Sequence, residues 1–260
     1  MNTDKTLYGL LGYPLGHSFS RAFFTEKFER EGIDAEYLNF EIPNIEALPQ
    51  VLEEHPNLCG LNVTIPYKQA VIPYLDELSD EARAIGAVNV IRIDRSSGRP
   101  VLKGYNSDII GFTDSIRPLL KPHHRRALVL GTGGASKAIC RGLEKLGLEW
   151  CYVTRKRPTT VLNGSSAAYL TYSELTPADL ADFTVIVNCT PLGMYPKVDS
   201  APTIAYAALS PRHLLYDLVY NPEVTEFMRE GRRFGATVKN GLEMLHRQAI
   251  ASWNFWNATE

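Results

Sequence analysis

Cysteine is scarce in this 260-residue chain. Cys59, Cys140, Cys151 and Cys189 are too few and too scattered for a disulfide scaffold, and they lack the spacing of metal ligands. Such usage points to a reducing cytoplasm. The six histidines, the His123-His124 pair among them, form no ligand pattern, so no metal is expected. No hydrophobic run approaches a bilayer span, and residues 1–18 hold a single lysine and an apolar stretch broken by Gly and Pro, which is not the form of a secretory signal. An excess of either charge is missing too. The 27 Lys and Arg against 29 Asp and Glu give a net charge of -2, without the basic surplus of a protein that grips phosphate backbone. Neither nucleic acid nor membrane is an expected partner. With 45% hydrophobic and 22% charged residues the chain can bury a core, in one large domain or two ordinary ones.

The first hundred residues alternate strand-like and helix-like segments: Leu7 to Gly12, Ser20 to Glu31, Glu36 to Glu41, an amphipathic stretch at Ile45 to Glu54, Leu61 to Ile65, a helix around Lys68 to Leu78, and Ala87 to Ile93. Alternation of this kind predicts an α/β class with a largely parallel sheet covered by helices. After the helical pattern that ends near Leu120, residues Lys121 to Arg126 read as a connector. A second alternation follows, with strands at Ala127 to Leu130, Trp150 to Thr154, Thr184 to Cys189, Leu214 to Leu218 and Ala236 to Val238. A helix is expected at Ser136 to Leu146. The last segment, Gly241 to Trp256, carries Leu242, Leu245, Ala249, Trp253 and Trp256 on one helical stripe. The sheet restarts with its own loop chemistry, so the predicted domains are 1–106, joined by the helix of 241–260 packing back on it, and 107–240.

Gly131-Thr132-Gly133-Gly134-Ala135-Ser136 follows a predicted strand and opens a predicted helix, with Ser136 at the third fingerprint position. A turn of that composition lets a pyrophosphate approach backbone N–H groups closely, although by itself it also suits a structural turn capped by Ser136. The next strand ends in Thr154-Arg155-Lys156-Arg157. NAD-binding units place an acid there for the ribose 2′-hydroxyl, and cations suit a 2′-phosphate instead, so NADP is the expected cofactor.

In Asn62-Val63-Thr64-Ile65-Pro66-Tyr67-Lys68, strand periodicity sets Asn62 and Thr64 on one face, and Pro66 turns the chain so that Lys68 continues the line. Any one of these residues is an ordinary surface residue by itself. Ser18, Ser20, Asn89, Asp108 and Gln248 extend the polar set, with Ser20 and Asp108 equally suited to capping helices.

Together these segments resemble the shikimate dehydrogenase family. The matching pieces run nearly end to end: residues 12–20, 62–68 and 86–89, Asn106-Ser107-Asp108 with Gly111-Phe112, residues 131–136, Asn188 to Met194, Tyr216-Asp217 with Tyr220-Asn221-Pro222, and Asn240 to Leu245 with Gln248-Ala249. The resemblance implies two α/β domains, an N-terminal substrate domain and a Rossmann-like NADP-binding domain with the active site in the cleft between them. It implies reversible reduction of 3-dehydroshikimate to shikimate by hydride transfer. Lys68 and Asp108 are then the catalytic pair. Ser18, Ser20 and Thr64 meet the substrate carboxylate, Asn62, Asn89 and Gln248 meet ring hydroxyls, and Tyr220 lines the same site. Gly131, Gly133, Gly134, Ala135, Ser136, Thr154, Arg155, Lys156, Thr190, Gly241 and Met244 hold the cofactor. The chain departs from the family pattern at Arg21, where Pro is common, and at Ser107, where Thr is usual. A monomer or homodimer is expected. The alternatives are a quinate/shikimate dehydrogenase that accepts NAD and a non-catalytic ligand sensor.

Overall fold

A computed structural model of the protein describes residues 5–16, 19–157 and 168–258. It divides into two compact units, residues 1–107 with 248–260, and residues 108–247.

The sheet of the first unit contains β1 (Thr6–Gly12), β2 (Ala35–Glu41), β3 (Leu58–Val63), β4 (Glu77–Leu78), β5 (Val90–Asp94) and β6 (Val101–Tyr105) in the order β2-β1-β3-β5-β6-β4. Only β5 among these runs against its neighbours. That reversal matters for the site, because it brings the start of β5 to the edge where β3 and β6 end. β1 is buried almost throughout, as expected of a parallel strand covered on both faces. One face packs Leu7, Leu11, Leu48, Val51, Leu58, Leu61 and Ile91 with α2 (Leu48–Glu54). The other packs Tyr8, Phe24, Phe28, Tyr37 and Trp256, from α1 (Phe19–Glu31) and from the end of α9 (Leu242–Trp256). The indole of Trp256 lies flat enough on Gly60 that a Cβ there would overlap it, and its Nε1 donates to the Ile91 carbonyl at 3.0 Å.

The helix expected over 68–78 is broken into α3 (Tyr67–Ala70), a single 3-10 turn at Ile72–Tyr74, β4, and then α4 (Asp80–Ile85). Pro73 ends the first helical ladder. Asp76 then pairs with the sheet, its N–H donating to the Leu102 carbonyl at 2.9 Å and its carboxylate accepting from the Leu102 N–H at 2.8 Å. β6 has no counterpart in the sequence pattern. Its Gly104 sits where a Cβ would approach Leu75, Leu78 and Val88 side chains to within 3 Å.

The second unit has β7 (Arg126–Leu130), β8 (Glu149–Thr154), β9 (Ala168–Thr171), β10 (Val185–Asn188), β11 (Leu214–Asp217) and β12 (Thr237–Lys239), all parallel, in the order β12-β11-β10-β7-β8-β9. Counted from β7, this is the doubly wound order in which ligands bind where the winding reverses, at the strands' carboxyl ends between β7 and β10. Helices α5 (Asp108–Ile116) and α6 (Gly134–Lys145) cover one face, and α7 (Pro177–Asp182) and α8 (Glu226–Arg233) the other. The strand β9 and helices α7 and α8 were absent from the expected elements. α7 carries a legible signal all the same, a capping box in which the Thr176 and Asp179 side chains each meet the other's backbone N–H, with Pro177 in the first turn.

Candidate active site

In the first unit the winding reverses between β1 and β3, so the loops after Gly12 and Val63 flank a concave edge. Their approach is close. A Cβ on Gly12 would lie 2.5 Å from Thr64 Cγ2, so only glycine lets Thr64 take this place. Thr64 lies just past β3, and its N–H donates to the Leu11 carbonyl at 2.9 Å. Lys68 is half-buried in α3, where its carbonyl accepts from the Val88 N–H at 2.7 Å and Tyr67 Oη anchors the helix on the Ile42 carbonyl at 2.6 Å.

Asn62 and Asn89 are buried at the same edge. Asn62 Oδ1 accepts from Tyr37 Oη at 2.9 Å, and its Nδ2 donates to Ser252 Oγ at 2.9 Å. Asn89 Oδ1 accepts from the Ser107 N–H at 2.7 Å, and its Nδ2 donates to Ser107 Oγ at 3.0 Å. Ser107 Oγ in turn lies 3.3 Å from Gln248 Oε1 and 3.2 Å from Ser252 Oγ. Five of the expected residues thus share one edge: Ser20, Asn62, Thr64, Asn89 and Gln248. Ser20 is the second residue of α1 rather than its cap. Ser18 lies outside the described residues. Sequence reasoning missed Tyr37, Ser107 and Ser252, the side chains that hold the amides in place. Only Ser107 left a trace, by its position beside Asp108.

Asp108 is buried in the first turn of α5, in the second unit. There the chain leaves β7 through Gly131, whose φ of +95° favours glycine and whose added Cβ would lie 2.9 Å from Thr190 Cγ2. Gly133 is the N-cap of α6. At Gly133 and Gly134 a Cβ would meet nothing within 4 Å, so the backbone stands open to a pyrophosphate, with the N–H of Ala135 next in the first turn of α6. Ser136 is fully buried and bonds back to the Gly133 carbonyl at 2.6 Å, and so locks the turn instead of capping the helix. Replacing Gly131 by alanine is expected to lower the melting temperature and to weaken NADP binding at least about tenfold, from a strain of roughly 1–2 kcal/mol. Unchanged NADP titration would contradict it.

At the end of β8, Thr154 is buried and its hydroxyl donates to the Lys156 carbonyl at 2.9 Å. Arg155 and Lys156 are exposed, whereas Arg157 is drawn away by Glu174 at 3.0 Å. The described part of this loop carries no acid. Thr190 follows β10, its N–H and hydroxyl both donating to Asn188 Oδ1. Asn188 Nδ2 donates to Asp217 Oδ1 at 2.9 Å, and Asp217 also accepts from the Val219 N–H and the Thr225 hydroxyl. One buried carboxylate therefore ties together the loops that bear Thr190 and Tyr220. Tyr220 is exposed at 40%. Gly241 presses on the Leu218 backbone so closely that a Cβ would overlap the carbonyl, and Met244 is buried among Phe112, Tyr216 and their neighbours.

Burial raises the Asp217 carboxyl from 3.8 to about 6, against the pull of the Thr225, Val219 and Asn188 donors. Because the folded state holds this proton more tightly than the unfolded chain does, the group favours folding at low pH. Its contribution is lost as pH rises from about 4 to about 6. Asp217→Asn keeps the shape without the titration, so the melting temperature of wild type relative to the variant is expected to fall across that interval and to level off above it. A difference independent of pH would contradict the assignment.

The model of the shikimate dehydrogenase substrate binding domain matches residues 10–91. A shikimate dehydrogenase (NADP(+)) from Desulforamulus reducens is 34% identical over 98% of this chain and 91% of its own length. Two solved structures share the fold. The chorismate mutase/shikimate 5-dehydrogenase fusion protein from Clostridium acetobutylicum has a TM-score of 0.85 and 35% identity, covering 98% of this chain and 92% of that one. Shikimate 5-dehydrogenase from Thermus thermophilus, in complex with NADP(H) and shikimate, has a TM-score of 0.82 and 31% identity, covering 96% and 93%.

Proposed function

This chain belongs to the shikimate dehydrogenase family, and on that footing we propose that it catalyses the reversible, NADP-dependent reduction of 3-dehydroshikimate to shikimate. The observation that carries the reading is the set of buried, hydrogen-bonded amides and hydroxyls at one edge of the first sheet, with Lys68 one helical turn beyond. Buried polar groups require partners, and a polyhydroxylated acid offers them in number.

In this reading Ser18, Ser20 and Thr64 bind the substrate carboxylate, while Asn62, Asn89, Gln248 and Tyr220 orient the ring. Reduction adds a hydride to the ketone carbon and a proton to its oxygen. Lys68 supplies the hydrogen bond and the proton to that oxygen, and in the reverse direction takes the proton back. Asp108 supplies a buried carboxylate that accepts from a neighbouring hydroxyl. NADPH, when bound, supplies the hydride. The open backbone at Gly133, Gly134 and Ala135 fits its pyrophosphate, with Gly131 and Ser136 shaping the turn. Arg155 and Lys156, on the loop held by Thr154, fit its 2′-phosphate. Thr190 and Gly241, just past the ends of β10 and β12, and Met244, in the first turn of α9, fit the remainder of the nucleotide. We place the enzyme in the cytoplasm, in keeping with its four unpaired thiols.

The experiment is incubation of the purified protein with 3-dehydroshikimate and NADPH, with the product identified by chromatography against authentic shikimate. Shikimate formed in step with loss of reduced nicotinamide is expected. A folded protein that binds both ligands without turnover would favour the sensor instead.

A further inference from the structure

Asn188, at the end of β10, is fully buried, and its amide is bonded at both ends. Its Oδ1 accepts from the Thr190 N–H at 3.0 Å and from the Thr190 hydroxyl at 2.6 Å. Its Nδ2 donates to Asp217 Oδ1 at 2.9 Å and faces the Leu192 carbonyl at 3.4 Å. The amide cannot turn over, because a backbone N–H only donates and so must face the oxygen, while the carbonyl of Leu192 only accepts and so must face the nitrogen. This fixes the proton of Thr190. An amide oxygen has none to give, so the Thr190 hydroxyl spends its single proton on Asn188, and it also accepts from the Leu192 N–H at 3.3 Å. One lone pair is left, on a side chain that is half-buried. A group that meets this hydroxyl must therefore donate.

The phosphate oxygens of NADP accept, whereas its sugar hydroxyls, its adenine amino group and its carboxamide N–H donate. Strand order sorts among these donors. β7, which ends in the pyrophosphate turn, lies between β8, which leads into Arg155, and β10, which leads into Thr190. The adenosine end is assigned to the β8 side, so Thr190 stands on the side left for the nicotinamide. We propose that Asn188, held by Asp217, is a positioning residue that keeps Thr190 a hydrogen-bond acceptor, and that Thr190 accepts from the nicotinamide nucleoside, through a ribose hydroxyl or the carboxamide N–H.

The inference rests on the function proposed above, and Thr190→Val, which keeps the shape and removes the hydroxyl, tests it first. The KM for NADP is expected to rise about three- to tenfold, the worth of one neutral hydrogen bond, and Thr190→Ser, which restores the hydroxyl, should recover most of the loss. Adenosine diphosphate bearing a 2′-phosphate carries the phosphates and the adenosine but no nicotinamide nucleoside. Its inhibition constant should move less than about twofold in Thr190→Val. The same rise for NADP and for this fragment, or no rise for either, overturns the proposal. The acetylpyridine analogue of NADP lacks the carboxamide N–H: a Thr190→Val effect that vanishes with it names the carboxamide as the donor, and one that persists names the ribose. Asn188→Ala should show the same split between NADP and the fragment, and combined with Thr190→Val it should fall short of additivity by about threefold or more; additive effects overturn the positioning role. Should Asn188→Ala not fold, Asn188→Ser, which keeps a donor for Asp217 but is too short to reach Thr190 as well, enters the same cycle. Should the wild type turn over no shikimate, it is the functional assignment that fails, and calorimetric titration with NADP then reads the same comparisons.

Discussion

Lys68→Ala is expected to lower kcat for shikimate oxidation by a factor on the order of 10²–10⁴, the span typical of removing a positioned proton-transfer group. NADP affinity should be unchanged, since the nucleotide is assigned to the other unit. The reason is chemical. Without Lys68 the oxygen of the substrate must lose or gain its proton through water as its charge develops, and no other described cation lies on the turn that follows β3. α3 is anchored independently of the ammonium, by Tyr67 on the Ile42 carbonyl and by the Lys68 carbonyl on the Val88 N–H. Initial rates together with an NADP titration check this. A variant retaining more than about a tenth of wild-type kcat would remove Lys68 from the proton path.

The second large effect concerns the cofactor. Arg155→Ala should raise the KM for NADP about ten- to hundredfold, as expected for a charge-assisted hydrogen bond worth about 1.5–3 kcal/mol, and should leave the KM for NAD within about threefold. Exposure of Arg155 lets salt screen this contact, so the effect should shrink at high ionic strength. Equal losses with both cofactors would mean that the guanidinium stacks on adenine and does not read the 2′-phosphate.

Much of the site was legible because its residues lie close together in sequence. Asn62, Thr64 and Lys68 follow one strand into one turn, and the glycine turn stands between a strand and a helix. The side chains that hold them were not legible. Tyr37 reaches Asn62 from β2 and Ser252 reaches it from α9, across 25 and 190 residues, and no local pattern records such contacts. The reversal of β5 was hidden for a similar reason. Strand periodicity reports which face a residue occupies but not the direction of its strand, so the meeting of Asn89 with Asn62 required the pairing of Asn62 with Val90. At Lys68 to Leu78 the helical pattern was overridden by Pro73 and by the pairing of Asp76 with Leu102. In the second unit, Asp217 reads as an ordinary strand end until burial and three donors make it the tie between two loops.

Initial rates of the purified protein with shikimate and with quinate, each against NADP and against NAD, test the central claim most directly. Shikimate with NADP is expected to give the highest kcat/KM by a wide margin. No turnover in any of these combinations, in a folded protein that still binds NADP, would contradict it.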